Sequence, residues 1–433
     1  MDWSFLIEGK DAITVTTDSR EVTPGSVFVA LKGEHYDGND FVEQARQAGA
    51  AYIIHGEHAL EELQDLARAW RRRFHIPVIA ITGTNGKTTT KELAAAVLQQ
   101  RYNVLWTEGN LNNQIGVPLT LLRITRSHNL AVIEMGASHP GDITELAEIA
   151  EPTDALITNV GKAHLQGFGS FEGVMAAKGE LYEWIIAHGG TIFYNADNSI
   201  LCKMLDKRLP KGRKIKRMKF NKLYWYNRVM MPNNPDIFVA LFRYRASQCP
   251  IKVEDTHLVG AYNNENIAAA LAMGMCFAGT YPYALQAMGS YIPSNNRSQL
   301  METEHNTVVV DAYNANPTSM QAAIEAFDHT PITNYQSPIT NHQSPKVYIL
   351  GAMRELGEYA HQEHQNIVNM LLERKADTVL LVGEEFRGTT APYPVFDNVE
   401  ELYAYLQERP VTGAHILLKG SRSNQLEKII PLL

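Results

Sequence analysis

The sequence predicts an α/β protein in three blocks. These are a small N-terminal α/β domain (1–76), a central domain with a mostly parallel sheet of the P-loop ATPase type (77–296), and a Rossmann-like C-terminal domain (297–433). Three observations carry this. The 433 residues exceed one ordinary domain. From Pro77 onward apolar strand-like runs alternate with helical patterns, which is the signature of parallel sheets. At Ile79–Thr90 an apolar run breaks into Gly83-Thr84-Asn85-Gly86-Lys87-Thr88 and then into a helical pattern carrying Leu93, Val97 and Leu98.

Composition bounds the rest. A hydrophobic content of 45% and charged content of 20% suit an ordinary globular chain. The net charge of −8 argues against general nucleic-acid binding. Cys202, Cys249 and Cys276 are sparse, odd in number and free of any C-x-x-C spacing, which suits a reducing cytosol. The start lacks the basic region and long apolar core of a signal peptide, and no apolar run reaches the roughly 18–20 residues that span a membrane. The expectation is a cytoplasmic protein with neither nucleic-acid nor membrane partners.

In the first block, Ile13–Thr17, Ser26–Leu31 and Ala51–Ile54 read as short strands. Phe41–Ala48 and Leu60–Arg73 read as helices, the second amphipathic. Ser19-Arg20 is either an anion-binding pair or a turn with an exposed arginine, and residue types alone favour the turn. A polar glycine loop runs over Gly33–Asn39.

The junction at 79–90 reads as a phosphate cradle. Its glycines let backbone N–H groups approach an anion, the helix N-terminus adds partial positive charge, and Lys87 adds a full one. The Thr88 hydroxyl is the usual Mg²⁺ ligand in such a loop. The spacing departs from G-x-x-x-x-G-K-[ST], since Ile81 stands at the first glycine position and Gly83 lies three before Gly86. Beyond an amide-rich loop at Thr107–Pro118, the strand Leu130–Glu134 ends in a carboxylate. That places Glu134 at the carboxyl edge of the sheet, as a metal-binding acid or a solvated strand end. The strand Asp154–Asn159 delivers His164 to the same edge, as a metal ligand or a hydrogen-bonded structural histidine.

The basic run at 203–222 reads as a solvated face, weak aromatic interleaving disfavouring a nucleic-acid arm. Residues 224–253 read as β-rich, of uncertain topology. Asn263 and Asn266 open an alanine-rich helix, as caps or as amides that recognise adenine. In the third block Val308–Asp311 is a strand ending in an acid, and Pro317 starts the following helix. Val347–Leu350, Thr378–Val382 and His415–Lys419 are further buried strands. A near-duplication at 331–345, PITNYQS then PITNHQS, reads as an exposed insertion without catalytic content.

With these motifs in place the chain resembles the Mur ligase family along essentially its whole length. TGTNGKTT (Thr82–Thr89) is the general mark and accounts for the glycine spacing. GNLNNQIGVPLTLL (Gly109–Leu122), DAYNANPTSM (Asp311–Met320) and LLKGSRS (Leu417–Ser423) resemble the branch that adds D-alanyl-D-alanine. The resemblance implies an ATP-dependent ligase that joins this dipeptide to UDP-N-acetylmuramoyl-tripeptide through an acyl phosphate, with two Mg²⁺ ions; a monomer is expected.

The resemblance also implies roles. Gly83, Thr84, Asn85, Gly86, Lys87, Thr88 and Thr89 would hold the nucleotide phosphates, with Thr88 on a Mg²⁺. Glu134, His164 and, once carbamylated, Lys178 match second-metal ligands. Asn266 matches an adenine-binding amide, Arg297 the arginine near the γ-phosphate, and Asp311 the acid on the ribose. Ser19, Arg20, Asp37 and Asn39 resemble the uridine-diphosphate end of the substrate site, and Asn112 and Asn113 belong to the substrate set. Asn314, Asn316, Lys419, Ser421 and Arg422 would face the peptide and dipeptide ends. Departures are Tyr262 where a histidine is common, Ala352 where an acid is frequent, and the insertion. Domain closure with hinges near 77 and 297 is expected. The rivals are another Mur-type or folylpolyglutamate-type ligase, which the N-terminal block opposes, and a P-loop regulatory module.

Overall fold

The computed structural model describes residues 2–33, 36–211, 215–219, 225–231, 234–277, 281–294, 296–329, 344–376 and 378–433. Most of the insertion read at 331–345 lies outside these residues.

The first block holds three parallel strands in sequential order: β1 (Val15–Thr16), β2 (Val27–Val29) and β3 (Tyr52–Ile54). Gly38 follows because its α-carbon lies against the Leu31 backbone, where a Cβ would meet the carbonyl oxygen at 2.6 Å. The helix Ala59–Arg71 buries Leu63, Leu66, Ala67 and Trp70 at helical spacing. That stripe packs on the central helices Gly116–Leu121 and Asp142–Ala150, so one apolar core runs from Trp3 and Val27 to Ala80 and Ile149. Each fully buried side chain of this size contributes about 1.5–3 kcal/mol. Arg71 is buried at the same junction. It donates to the carbonyls of Phe74 (2.5 Å), Ala150 (3.1 Å) and Ile76 (3.3 Å), tying the connecting segment to the central domain.

The central sheet has eight strands: β4 (Val78–Thr82), β5 (Val104–Trp106), β6 (Leu130–Glu134), β7 (Asp154–Ile157), β8 (Gly190–Asn195), β9 (Ile215–Lys219), β10 (Trp225–Met231) and β11 (Asn234–Tyr244). Their order is β5-β6-β4-β7-β8-β11-β10-β9. The first six are parallel, and β10 runs antiparallel to both β11 and β9. The β-rich stretch of uncertain topology therefore supplies β10 and β11, and the edge strand β9 comes from the basic run at 203–222. Buried β4 lies between β6 and β7, with its successors on opposite sides, and such a reversal opens a cleft at the carboxyl edge.

The third sheet comprises β12 (Gln299–Glu302), β13 (Thr307–Asp311), β14 (Lys346–Gly351), β15 (Thr378–Val382), β16 (Val395–Phe396) and β17 (His415–Lys419). The order is β12-β13-β17-β14-β15-β16, parallel except for β12. β17 pairs with both β13 and β14, and its register sets Lys419 beside Asp311.

Candidate active site

The carboxyl edges of the central and C-terminal sheets face one another across a cavity of about 930 Å³. Its wall includes Thr84, Lys87, Glu134, Arg297, Asp311 and Arg422.

The loop after β4 is braced from both neighbouring strands. Gly83 has φ 144°, and a Cβ there would lie 2.0 Å from Thr158 Oγ1. Gly86 has φ 79° and caps the helix Lys87–Leu98, and its Cβ would meet Asn266 Oδ1 at 2.3 Å. Only glycine fits either position. Just beyond β7, Asn159 accepts from the Asn85 N–H at 3.0 Å and donates to the Asn85 carbonyl at 3.0 Å, while Thr158 Oγ1 donates to that carbonyl at 2.6 Å. Thr84 N–H donates to the Asn159 carbonyl at 3.0 Å. Lys87 Nζ folds back on its own loop, donating to the carbonyls of Gly83 (2.7 Å) and Thr84 (3.1 Å). Burial lowers its pKa, with Glu134 opposing the shift and Arg297 adding to it.

Among the described residues Thr88 Oγ1 is buried without a hydrogen-bond partner, and so is Glu134 Oε2. The other Glu134 oxygen accepts from Asn112 Nδ2 at 2.8 Å. On the far side lies the fully buried Lys91, its Nζ 3.9 Å from Glu134 Oε2 and 2.9 Å from Glu92. Asn113 Oδ1 is occupied by the Gly116 N–H at 2.8 Å. Thr89 is buried in the first helical turn. Asn266 sits beneath the loop, donating to Asn263 Oδ1 (2.8 Å) and accepting from Thr90 Oγ1 (3.1 Å).

Lys178 is 2% exposed, and its Nζ donates to the Ala137 carbonyl at 3.2 Å. Burial, reinforced by Lys87, lowers its pKa to about 7, against the pull of Asp142 and Glu180. His164 has φ 49°, and its Nδ1 closes on the Glu355 carboxylate from the C-terminal domain. That contact holds the Glu355 pKa below its ordinary value. Among the described residues no three His, Cys, Asp or Glu side chains form a metal cluster.

Across the cavity, the Arg297 guanidinium stacks on Tyr313 at 3.9 Å from the ring centroid, and its Nε has no partner among the described residues. Arg422 lies over the same ring at 5.5 Å. Lys419 Nζ donates to Asp311 Oδ2 (2.7 Å) and to the Asn314 carbonyl (3.0 Å). Ser421 Oγ donates to the Ala352 carbonyl at 3.0 Å. Asn316 pairs with Asn85 across the cleft at 2.7 Å.

The structure thus gathers Thr84, Asn85, Gly86, Lys87 and Thr89 of the phosphate loop, with Asn112, Asn113, Glu134, His164, Asn266, Arg297, Asp311, Asn314, Lys419, Ser421 and Arg422, around one cavity, while Gly83 and Thr88 lie behind the loop's lining residues. Lys178 and Asn316 border it through Ala137 and Asn85. It does not bring Ser19, Arg20, Asp37 or Asn39 there. Arg20 is exposed and ion-paired with its own Asp18 at 2.5 Å, within a short 3-10 helix over Ser19–Glu21. Asp37 accepts from the Asn39 N–H at 2.9 Å, and Asn39 Oδ1 from the Gly56 N–H at 2.9 Å. Thr158, Asn159, Tyr313, Arg354 and Glu355 were missed by sequence reasoning. Only the place of Asn159 just past a strand hinted at its role.

The chain matches three domain descriptions: "Mur ligase family, catalytic domain" over residues 13–104, "Mur ligase middle domain" over 81–274, and "Mur ligase, glutamate ligase domain" over 296–422. It is similar to the UDP-N-acetylmuramoyl-tripeptide--D-alanyl-D-alanine ligase of Escherichia coli K12, 32% identical with 97% of this chain and 93% of that one covered. The Bacillus subtilis 168 protein of the same name is 31% identical, covering 96% and 92%. The crystal structure of the MurF ligase from Thermotoga maritima in complex with ADP superposes with a TM-score of 0.75 at 27% identity, covering 97% of each chain.

Proposed function

The chain belongs to the Mur ligase family, and from that premise we infer that it is an ATP-dependent ligase joining D-alanyl-D-alanine to UDP-N-acetylmuramoyl-tripeptide in peptidoglycan synthesis. The observation that carries this is the braced phosphate loop, whose Lys87 faces Arg297 across one cavity.

A carboxylate is a poor electrophile, so the γ-phosphoryl of ATP passes first to the terminal carboxylate of the tripeptide, releasing ADP. The loop N–H groups and Lys87 hold the phosphates, and Arg297 meets the charge on the transferring group from the opposite wall. The dipeptide amine, having lost its proton, attacks the acyl carbon through a tetrahedral intermediate, and phosphate leaves as the amide forms. Two domains facing one another position the reactants and exclude the water that would hydrolyse the acyl phosphate.

Mg²⁺ fits this donor set. Thr88 Oγ1 and Glu134 Oε2 are hard oxygen donors, buried and without a hydrogen-bond partner among the described residues, and Mg²⁺ is commonly held by one or two protein oxygens plus phosphates and water. When bound, it neutralises phosphate charge. We assign a second ion to Glu134, His164 and a carbamylated Lys178, whose lowered pKa leaves a reactive neutral amine. Further readings are domains at 1–76, 77–296 and 297–433, action as a monomer, and a cytoplasmic location. Asn266 is assigned to the adenine, Asp311 to the ribose, and Ser19, Arg20, Asp37 and Asn39 to the uridine-diphosphate end.

The test is phosphate release with the nucleotide tripeptide, with and without D-alanyl-D-alanine; release indifferent to the dipeptide defeats the reading. Lys87→Ala should lower acyl-phosphate formation by on the order of 10³-fold. Binding of the uridine nucleotide, measured by calorimetry, should be unchanged.

A further inference from the structure

Arg297, the group assigned to the transferring phosphoryl, stands between two residues with left-handed backbone, Asn296 at φ 54° and Ser298 at φ 48°. Asparagine visits that region more readily than serine, so Ser298 is the strained member. It is 3% exposed and held on three sides. Its carbonyl accepts from the Val259 N–H at 3.3 Å, its N–H donates to Asp311 Oδ1 at 3.4 Å, and its hydroxyl oxygen lies 2.7 Å from that of Tyr262. The tyrosine bond is the shortest of the three. Tyr262 is one of the chain's departures from the family pattern, and the backbone makes room for it: Gly260 has φ 95°, and a Cβ there would lie 2.4 Å from the Tyr262 ring. Burial, with Asp311 adding to it, raises the Tyr262 pKa, so the phenol keeps its proton and can donate.

We propose that Tyr262 is a positioning residue for Arg297: its bond to Ser298 holds the 296–298 turn in its left-handed form and so aims the guanidinium at the phosphate loop's side of the cavity. This rests on the ligase reading above and deepens it by giving Arg297 its support. The bond ties the two walls of the site together. Tyr262 directly precedes the helix Asn263–Phe277, whose Asn266, held by Asn263 and Thr90, sits beneath the phosphate loop against Gly86. Ser298 adjoins Arg297 and meets Asp311 at the end of β13. The Arg297 side chain does less to fix its own place. Its guanidinium rests on the Tyr313 ring at 3.9 Å, and its Nε has no partner among the described residues. Stacking on a ring fixes a plane but not a direction within it, so the direction comes from the backbone at 296–298. Without the tyrosine bond the serine can return to negative φ, and the turn that carries Arg297 is released. A charged group displaced in this way costs rate even where substrate binding is unchanged.

The experiment compares Tyr262→Phe, Ser298→Ala, Ser298→Gly and the Tyr262→Phe/Ser298→Ala double variant with the unaltered enzyme. Two quantities are read for each. One is the single-turnover rate of acyl-phosphate formation from ATP and the nucleotide tripeptide, trapped by hydroxylamine. The other is the affinity for a non-hydrolysable ATP analogue, by calorimetry. Tyr262→Phe keeps the ring and removes only the hydroxyl; its rate should fall about 3- to 10-fold, as for one neutral hydrogen bond, with affinity within about twofold. Ser298→Ala should fall as far and the double variant no further, since both single changes remove the same bond. Ser298→Gly also lacks the hydroxyl, but glycine adopts positive φ without strain, so it should keep more of the rate than Ser298→Ala. In an Arg297→Gln background, adding Tyr262→Phe should cost less than about twofold, because the group being positioned is gone. An unchanged rate in Tyr262→Phe overturns the inference, as do additive losses in the double variant. A loss confined to nucleotide affinity also overturns it, by putting the Tyr262 hydroxyl on the nucleotide instead. An unaltered enzyme that yields no trapped acyl phosphate from these two substrates overturns the ligase reading itself.

Discussion

At the junction of the first two domains the helix Ala59–Arg71 sinks Leu63, Leu66, Ala67 and Trp70 into a core shared with the central sheet, and Trp70 Nε1 donates to the Ile124 carbonyl at 2.9 Å. The junction with the C-terminal domain is of another kind. Besides Val259, which packs into the C-terminal core, it is bridged by isolated polar contacts: Asn85 with Asn316, Lys162 with Glu363 at 2.9 Å, and His164 with Glu355. Between the domains the chain passes through Asn296 (φ 54°) and Ser298 (φ 48°), either side of Arg297. Each left-handed non-glycine residue costs about 1–2 kcal/mol, and Ser298 is held there by its hydroxyl's 2.7 Å bond to Tyr262. An apolar joint resists opening because every contact is lost together, while polar bridges exchange readily with water. Of the two hinges expected from sequence, the segment near 297 carries these left-handed residues, and the segment near 77 carries the Arg71 bonds.

Three measurements sharpen or break that contrast. Trp70→Ala should cost about 3–5 kcal/mol, as large aromatic truncations do, and in hydrogen exchange the loss of protection should reach the central helices Gly116–Leu121 and Asp142–Ala150. Confinement of the loss to the N-terminal block would show two cores rather than one. Next comes Asp154 on β7, whose burial raises its pKa to about 6 from 3.8. The native state then keeps its proton while the unfolded chain loses it, so stability falls as pH rises from about 4 to 6, by up to about 3 kcal/mol. Asp154→Asn should therefore stabilise the protein at pH 8 and leave it unchanged at pH 3.5. Because the N-terminal helix shares that core, its exchange protection should rise with that of the central sheet, and the C-terminal sheet should not follow. The smallest effect is Lys162→Gln. Lys162 is 57% exposed, so its pair with Glu363 contributes less than about 1 kcal/mol. Melting should barely move, yet small-angle scattering without substrates should show a larger radius; an unchanged radius would mean the bridge does not hold the domains together.

The parts legible in the sequence were those written locally. The run Val78–Thr82, two glycines and a helix start lie within a dozen residues, and each constrains the next. Glu134 was legible because a strand end in a parallel sheet fixes a side chain's place. The bracing was not, since Asn159 reaches Asn85 across 74 positions and Asn316 across 231. Tyr313 stood inside a quoted motif, yet nothing in its neighbours announced two guanidinium groups over its ring. Lys419 and Ser421, read as facing the peptide and dipeptide ends, give their polar atoms to Asp311 and to the Ala352 carbonyl, pairings set by strand register. The N-terminal candidates sit in short polar loops away from the cavity. Arg20 and Asp37 satisfy themselves within two residues, as short polar loops readily do.

The contact between Gly86 and Asn266 bears on how this site can change. The space over Gly86 is closed from below by a side chain from the far end of the central domain, 2.3 Å from where a Cβ would stand. Asn266 is in turn held by Asn263 and Thr90. An inhibitor whose anionic group rests on the N–H groups of this loop would therefore face a target that cannot acquire resistance by growing a side chain at position 86. Any such substitution displaces Asn266 and unseats the turn that ATP itself needs, so the escape route and the loss of activity coincide.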